Sequence, residues 1–504
     1  MSNPKHQARL DKLIKEIARG GIVSLGGQIC FKGLAFITHI LLARFLGVAS
    51  YGLYALGFTI LIFIQRFSSL GLQNGVVRFG AIYLAEEDKA RLKGTLLSSL
   101  LIPLSLGLVF CIIIFYFSDF IATEIFNKPA LAFVLKLFAI SLPFYSLMMV
   151  GVNSFRVFRK MEYEVLTLNI FHPFLNIFIL AAIFLLGYRL IGAVLAFIIS
   201  SLLSAILVIY LIYRIFPEIV SNIKAKYELK KLLPYSLTML LLGFSYILLL
   251  SIDRVMIGFF GSEVDVGIYN AAAMTASQAS IFLGSFAPIF LPSIAELSNK
   301  NQFHNLEILL KAVTKWIFIF TLPLSMIFIL FPKEIMGIFG PDFIDGWAVL
   351  VLLSVAQLLN ASTGPIGSIL TMSGRQKVEL INSIFLGVSN AVLNIFLIQR
   401  YGVLGAAIAT GLSLILVNIA RLLEVYFFYR MHPYRYSYSK PIIAALGAIA
   451  LYSLIDFVIA PKGGFRFSEL AILGIIYFLI LILLGTDEED NIVLQAVKKK
   501  IARA

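Results

Sequence analysis

The sequence predicts an all-α polytopic membrane protein, with fourteen transmembrane helices arranged as two six-helix parallel repeats followed by two C-terminal helices. Three observations carry that expectation. Of the 504 residues 60% are apolar and 13% charged, and a membrane-crossing helix takes roughly 20 apolar residues, so the inventory suffices for fourteen and leaves no stretch polar enough for a water-soluble domain. The basic residues crowd alternate loops, and short motifs of the first half recur in order in the second.

The apolar runs follow one another between polar interruptions. The basic leader gives way to 20–43, and Arg44 separates that run from 51–72. The charged stretch from Glu86 to Lys93 precedes 95–117, Lys128 precedes 129–152, and Arg156, Arg159 and Lys160 precede 164–187, with 190–215 following Arg189. The second half gives 232–259, 266–293, 308–331, 343–371, 376–399 and 402–429, and then 439–459 and 466–485. The expected organisation is an amphipathic cytoplasmic segment at 1–19, an N-terminal six-helix lobe at 20–220, a C-terminal six-helix lobe at 225–435, helices thirteen and fourteen at 439–485, and a basic cytoplasmic tail at 486–504.

The net charge of +14 is explained by topology. Most Lys and Arg fall on one set of loops, while the alternate loops hold only Arg44, Lys128, Arg189, Lys333, Arg400, Lys462 and Arg466. The positive-inside rule then puts both termini in the cytoplasm, requires an even number of spans, and predicts no nucleic-acid partner. The span at 20–43 is too long for a signal-peptide core, so no cleavable signal is expected. Leu10, Leu13, Ile14 and Ile17 share a helical face among Lys and Arg, which favours the inner membrane surface. Cys30 and Cys111 lie in apolar runs without a second Cys or a His at ligand spacing, so neither a disulfide framework nor a metal site is expected.

Duplication is read from three ordered matches. Tyr188-Arg-Leu-Ile-Gly192-Ala193 recurs as Tyr401-Gly-Val-Leu-Gly405-Ala406, Leu175-Asn176-Ile177-Phe178 as Leu393-Asn394-Ile395-Phe396, and Arg44 with Gly52-Leu-Tyr54 as Arg254 with Gly267-Ile-Tyr269. Six spans per half give both halves one orientation, a parallel repeat of the kind that builds alternating-access transporters.

A charge near the bilayer centre costs roughly 2.5 to 3.5 kcal/mol, so each one needs a reason. Ser24, Gln28, Lys32 and His39 fall on one face of the first span. That stripe should line a wet cavity or pack on polar neighbours. Arg66 shares a face with Thr59, Ser69 and Gln73, and neither span contains an acid. For Arg66 snorkelling to the inner surface competes with a cavity role. Arg254 and its neighbour Asp253 point apart, so they form no simple bridge, and either is a candidate for the cavity mouth. Asn169, His172 and Asn176 form a polar face on span five, open to interhelical hydrogen bonding or to cavity lining. Arg421 and Glu424, three apart beside Asn418, suit an internal pair. Lys136 is expected to snorkel, and Pro288, Pro292 and Gly364-Pro365 to kink their spans. No P-loop or zinc motif occurs, and the outer loops are short, so no catalytic residues, cofactor or metal are expected.

The six-plus-six-plus-two plan, the basic amphipathic start, the Gly-x-Tyr element and Ser251-Ile-Asp253-Arg254-Val-Met-Ile-Gly258 resemble the polysaccharide transport family. This is the Wzx-like branch of the multidrug, oligosaccharidyl-lipid and polysaccharide exporter superfamily, whose multidrug (MATE) branch shares the fold. The resemblance implies a flippase moving polyprenyl (pyro)phosphate-linked oligosaccharide to the outer leaflet. It also implies a cationic cavity, for which Lys32, Arg66 and Arg254 are the matching positions. Implied partners are lipid-linked oligosaccharide, membrane lipids and glycan polymerase or glycosyltransferases, with the chain monomeric. A lipid II-type flippase, a cation-coupled multidrug antiporter and a non-transporting scaffold are the alternatives. Span one carries Lys32 and no acid, which counts against antiport by the usual route.

Overall fold

A computed structural model describes residues 26–459 and 467–485, and every regular element among them is helical. The first helices are α1 (Gly26–Leu46), α2 (Val48–Ser69), α3 (Leu72–Ala85), α4 (Lys89–Phe120), α5 (Pro129–Gly151), α6 (Ser154–Val157), α7 (Met161–Glu164), α8 (His172–Leu185) and α9 (Leu190–Ile215). There follow α10 (Leu229–Phe260), α11 (Glu263–Ala276), α12 (Ile281–Asn299), α13 (Phe303–Leu330), α14 (Pro332–Gly337), α15 (Trp347–Ser362) and α16 (Ile366–Met372). Gly402, at φ 57, separates α17 (Gln376–Tyr401) from α18 (Val403–Tyr429), and α19 (Ser439–Ile459) and α20 (Phe467–Leu483) complete the order. Ten helices among the described residues are long and apolar enough to cross a membrane. This is a multi-pass membrane protein.

Local sequence explains the boundaries. Leu70 and Gly71 both take left-handed backbone, which stops α2 and restarts the chain as α3. Helix α3 occupies what the sequence presents as a loop; with Arg78 inside it and charged residues after it, its apolar run is too short to register as a span. Asp88 caps α4 by accepting from the Arg91 backbone N–H at 2.9 Å. Pro129 sits in the first turn of α5, where its missing N–H costs nothing. In span eight a 3-10 turn at Ser277–Ser280 precedes the helical run Ile281–Asn299, which contains Pro288 and Pro292. Gly364, at φ +65, breaks the chain between α15 and α16 as expected.

The described residues divide into two compact units, one running to Asn270 and the other starting at Ala271. In the first unit α2, α4, α5 and α9 pack round Tyr54, Phe58, Phe138 and Phe197, whose ring centroids lie 5.2 to 6.2 Å apart. In the second, α12, α13, α16 and α18 bury Ile294, Leu310, Ile317, Ile369 and Val425. Large apolar side chains such as Phe178, Leu185 and Phe427 stay exposed, as lipid-facing positions do.

One crossing in the first unit is reciprocal. A Cβ on Gly52 would collide with the Glu263 carbonyl, four residues before Gly267, and a Cβ on Gly267 with the Val48 carbonyl, four residues before Gly52. Each glycine thus lets its Cα meet the opposite backbone, the close approach typical of small residues between membrane helices.

Lys128 is buried, and its ammonium donates to the carbonyls of Gly258 and Gly261 at 2.7 Å and of Phe126 at 3.2 Å. It satisfies acceptors at the C-terminal end of α10. Burial pulls its pKa below the ordinary lysine value, opposed by the charges of Glu263 and Asp265. Lys128→Met leaves these carbonyls without their donor and is expected to lower stability by about 1 to 3 kcal/mol, measured by reversible unfolding in SDS–detergent mixtures. An unchanged midpoint would mean that water replaces the ammonium at no cost.

Candidate functional site

The candidate site draws its side chains from α1, α2, α5, α10 and the part of α11 up to Asn270, all within the first unit. The polar stripe of α1 starts with Ser24, which lies outside the described residues. Gln28 is exposed and Lys32 half-buried. Seven residues on, about 10.5 Å along the axis, His39 reaches a partner. Its Nδ1 lies 3.0 Å from the Tyr51 hydroxyl, to which Asn270 Nδ2 donates at 2.7 Å. Arg254 stands near enough to act electrostatically on both His39 and Tyr51. Its neighbour Asp253 turns away and accepts from the Tyr269 hydroxyl at 2.8 Å, as adjacent positions on one helix require.

A second cluster surrounds Arg66. Its guanidinium lies within electrostatic reach of Tyr145 of α5, whose ring centroid is 6.2 Å from that of His172. Tyr54 lies within electrostatic reach of both Tyr51 and Tyr145, so a run of buried tyrosines links the Arg254 and Arg66 ends.

Among the described residues the charges at these positions lack the usual compensation. The Nε atoms of Arg66 and Arg254 are buried with no hydrogen-bond partner. No carboxylate among the described residues pairs with Lys32, Arg66 or Arg254. Two cations elsewhere in the apolar helices do have carboxylate partners. Lys136 meets Asp119 at 2.8 Å, and Arg421 forks onto Glu379 rather than Glu424, which instead accepts from Asn382 at 2.6 Å. The internal pair expected from the spacing of Arg421 and Glu424 is therefore corrected: the fork needs a carboxylate on a facing helix.

The polar face of span five divides. His172 Nε2 and Asn176 Nδ2 are buried 3.4 Å from Ser201 and Ser200 of α9. Both bind helix to helix, at an average gain of about 0.6 kcal/mol per such contact. Asn169, in the π-helical turn Val165–Phe171, packs against α1, since a Cβ on Gly27 would stand 2.9 Å from its Nδ2. Sequence reasoning missed Tyr51, Tyr145 and Asn270. Tyr51 could have been found next to the Gly52-x-Tyr54 element and Asn270 next to its second copy, Gly267-x-Tyr269; nothing local marks Tyr145.

A family model described as polysaccharide biosynthesis protein matches residues 17–298, more than half of the chain. The chain belongs to the polysaccharide biosynthesis protein family. The matched segment contains Lys32, Arg66 and Arg254 together with the Tyr51 group. An uncharacterized membrane protein of Methanocaldococcus jannaschii is 23% identical over 470 residues, covering 89% of this chain and 91% of that one. The probable low-salt glycan biosynthesis flippase Agl15 of Haloferax volcanii is 28% identical over 162 residues, 32% of this chain and 34% of Agl15. Among solved structures, the lipid II flippase MurJ in an inward closed conformation matches with a TM-score of 0.68 at 17% identity, over 92% of this chain and 97% of that one. That likeness is one of fold. The resemblance read from the Gly-x-Tyr element and Ser251–Gly258 holds.

Proposed function

We propose that the protein is a flippase that moves a polyprenyl (pyro)phosphate-linked oligosaccharide from the cytoplasmic to the outer leaflet by alternating access, for surface polysaccharide or glycan assembly. One observation carries the reading: Arg66 and Arg254 bury guanidinium nitrogens that nothing among the described residues bonds, in a family of polysaccharide biosynthesis proteins. A buried charge without a partner is costly, and an arriving phosphate would repay that cost with charge-assisted bonds. Lys32 offers a compact point charge and the arginines a planar fork, both suited to phosphate oxygens. Gln28, Asn169 and the Tyr51 group supply polar lining, while the prenyl tail stays in lipid.

Fourteen spans in two parallel repeats fit this reading. To the ten long apolar helices it adds α10, α11 with α12, α19 and α20. The reciprocal crossing of Gly52 and Gly267, each against the residue four before the other, is the contact a pseudo-twofold relation generates, and so supports duplication. Both termini are then cytoplasmic. An inside-negative potential favours outward movement of an anion by roughly 2.3 kcal/mol per charge per 100 mV.

The test uses proteoliposomes carrying labelled lipid-linked oligosaccharide and a membrane-impermeant glycosidase. Wild type is expected to expose the inner pool, and Lys32→Ala to do so at least fivefold more slowly. A wild-type protein that leaves the inner pool protected removes the flippase reading.

A further inference from the structure

The second unit holds a cavity of about 450 Å³, within the roughly 300 to 1,000 Å³ usual for small-molecule sites. Its polar lining is Asn360, Ser368, Thr371, Glu379, Asn418 and Arg421, and apolar walls come from Leu283, Leu291 and Ile366. The polar groups are already organised. Asn418 Nδ2 donates to Asn360 Oδ1 at 3.0 Å, and Arg421 Nε donates to Glu379 Oε2 at 3.0 Å, with a second arm to Oε1. A Cβ on Gly367 would stand 3.0 Å from Glu379 Oε1, so glycine there keeps the cavity wall clear of the carboxylate.

The chemistry excludes two kinds of occupant and fits a third. Arg421 and Glu379 neutralise each other, so the cavity offers an anion no net attraction. Both carboxylate oxygens are engaged by the guanidinium, and the described residues contain no group of three or more His, Cys, Asp or Glu able to hold a metal ion. What remains is an alternation of amide, hydroxyl, guanidinium and carboxylate edges beside aliphatic walls. A sugar ring presents the complement, with hydroxyls that both donate and accept round its rim and C–H faces that pack on apolar side chains. The position also suits a headgroup. Glu379 lies three residues, about 4.5 Å of rise, inside the start of α17, beside the turn bearing Arg375 and Lys377.

We propose that this cavity is a neutral-sugar subsite, recognising a hexose or hexosamine unit of the glycan; its ligand, though not its test, rests on the flippase reading. In full-length protein with Cys30→Ser and Cys111→Ser, Thr371→Cys places a thiol at the cavity lining. Maleimide labelling at position 371 is followed with cellobiose, maltose, lactose or chitobiose, with sodium chloride, or with inorganic phosphate. At least one disaccharide is expected to slow labelling threefold or more, the two salts to leave it unchanged, and Asn418→Leu and Ser368→Val each to abolish the protection. Protection by phosphate alone would make the cavity an anion site and overturn the proposal, as protection by sodium alone would for a cation site. Flipping without protection by any disaccharide overturns the subsite and leaves the flippase. Protection without flipping keeps the subsite and removes the flippase.

Discussion

Arg66→Ala is expected to slow translocation at least tenfold while leaving the folded protein as stable as wild type or slightly more so. The two readouts move in opposite directions for a physical reason. In the resting protein the Arg66 Nε is buried without a hydrogen bond and no carboxylate among the described residues pairs with the group. Deleting it removes a desolvation cost and little favourable interaction, since Tyr145 offers only a weak partner. During transport the same guanidinium would meet phosphate oxygens, and a hydrogen bond to a charged group contributes about 1.5 to 3 kcal/mol. At about 1.36 kcal/mol per decade that loss is roughly ten- to hundredfold in rate. Arg66→Lys should fall between, because an ammonium keeps the charge but not the bidentate geometry. The measurements are the glycosidase-protection rate and the reversible unfolding midpoint on one set of preparations. An alanine variant that flips at the wild-type rate, or that loses more than about 1 kcal/mol of stability, would make Arg66 a packing residue.

That opposition between stability and function is also where sequence and structure part. Apolar runs of helical length were legible because lipid enforces them, and α9 lies where its run does, at 190–215. Helix α3 was not, because an amphipathic segment between charges carries no long apolar run. Local spacing set Arg421 beside Glu424, yet the carboxylate that takes its fork is Glu379, 42 positions back on a facing helix. Spacing within one helix cannot rank a partner on another. The same limit applies to the face of His172 and Asn176: periodicity places them together, but only the neighbouring helix decides that Ser201 and Ser200 face them. For Lys32 and Arg66 the sequence signal is an absence, two opening spans with no acid to pair with them; Arg254, beside Asp253 on a later span, carries no such signal. Lys128 reads in sequence as one more loop charge; its carbonyl partners at Gly258 and Gly261 lie 130 and 133 residues away and leave no local trace.

Gly52→Ala and Gly267→Ala are each expected to destabilise the protein by about 1 to 3 kcal/mol, and the double variant by markedly less than the sum. Either new methyl group meets a backbone carbonyl, Glu263 for one and Val48 for the other, and a carbonyl held in a helix cannot rotate aside as a side chain would. The helices must separate. Once one methyl has forced α2 and α11 apart, the second enters space already opened, so the coupling energy should reach at least about 1 kcal/mol. Gly47→Ala is the control. Its φ of 74 with ψ of 167 strains any L-residue, but no atom beyond its chain neighbours stands within 4 Å of the new Cβ, so it should cost about 1 to 3 kcal/mol and add to either of the others without coupling. Reversible SDS unfolding of wild type, the three single variants and the three pairwise doubles gives the cycles. Additive losses at Gly52 and Gly267 would mean that the two contacts relax independently. The two Gly-x-Tyr elements would then mark two separate packing sites, and the proposal of a repeat would lose the support of this crossing.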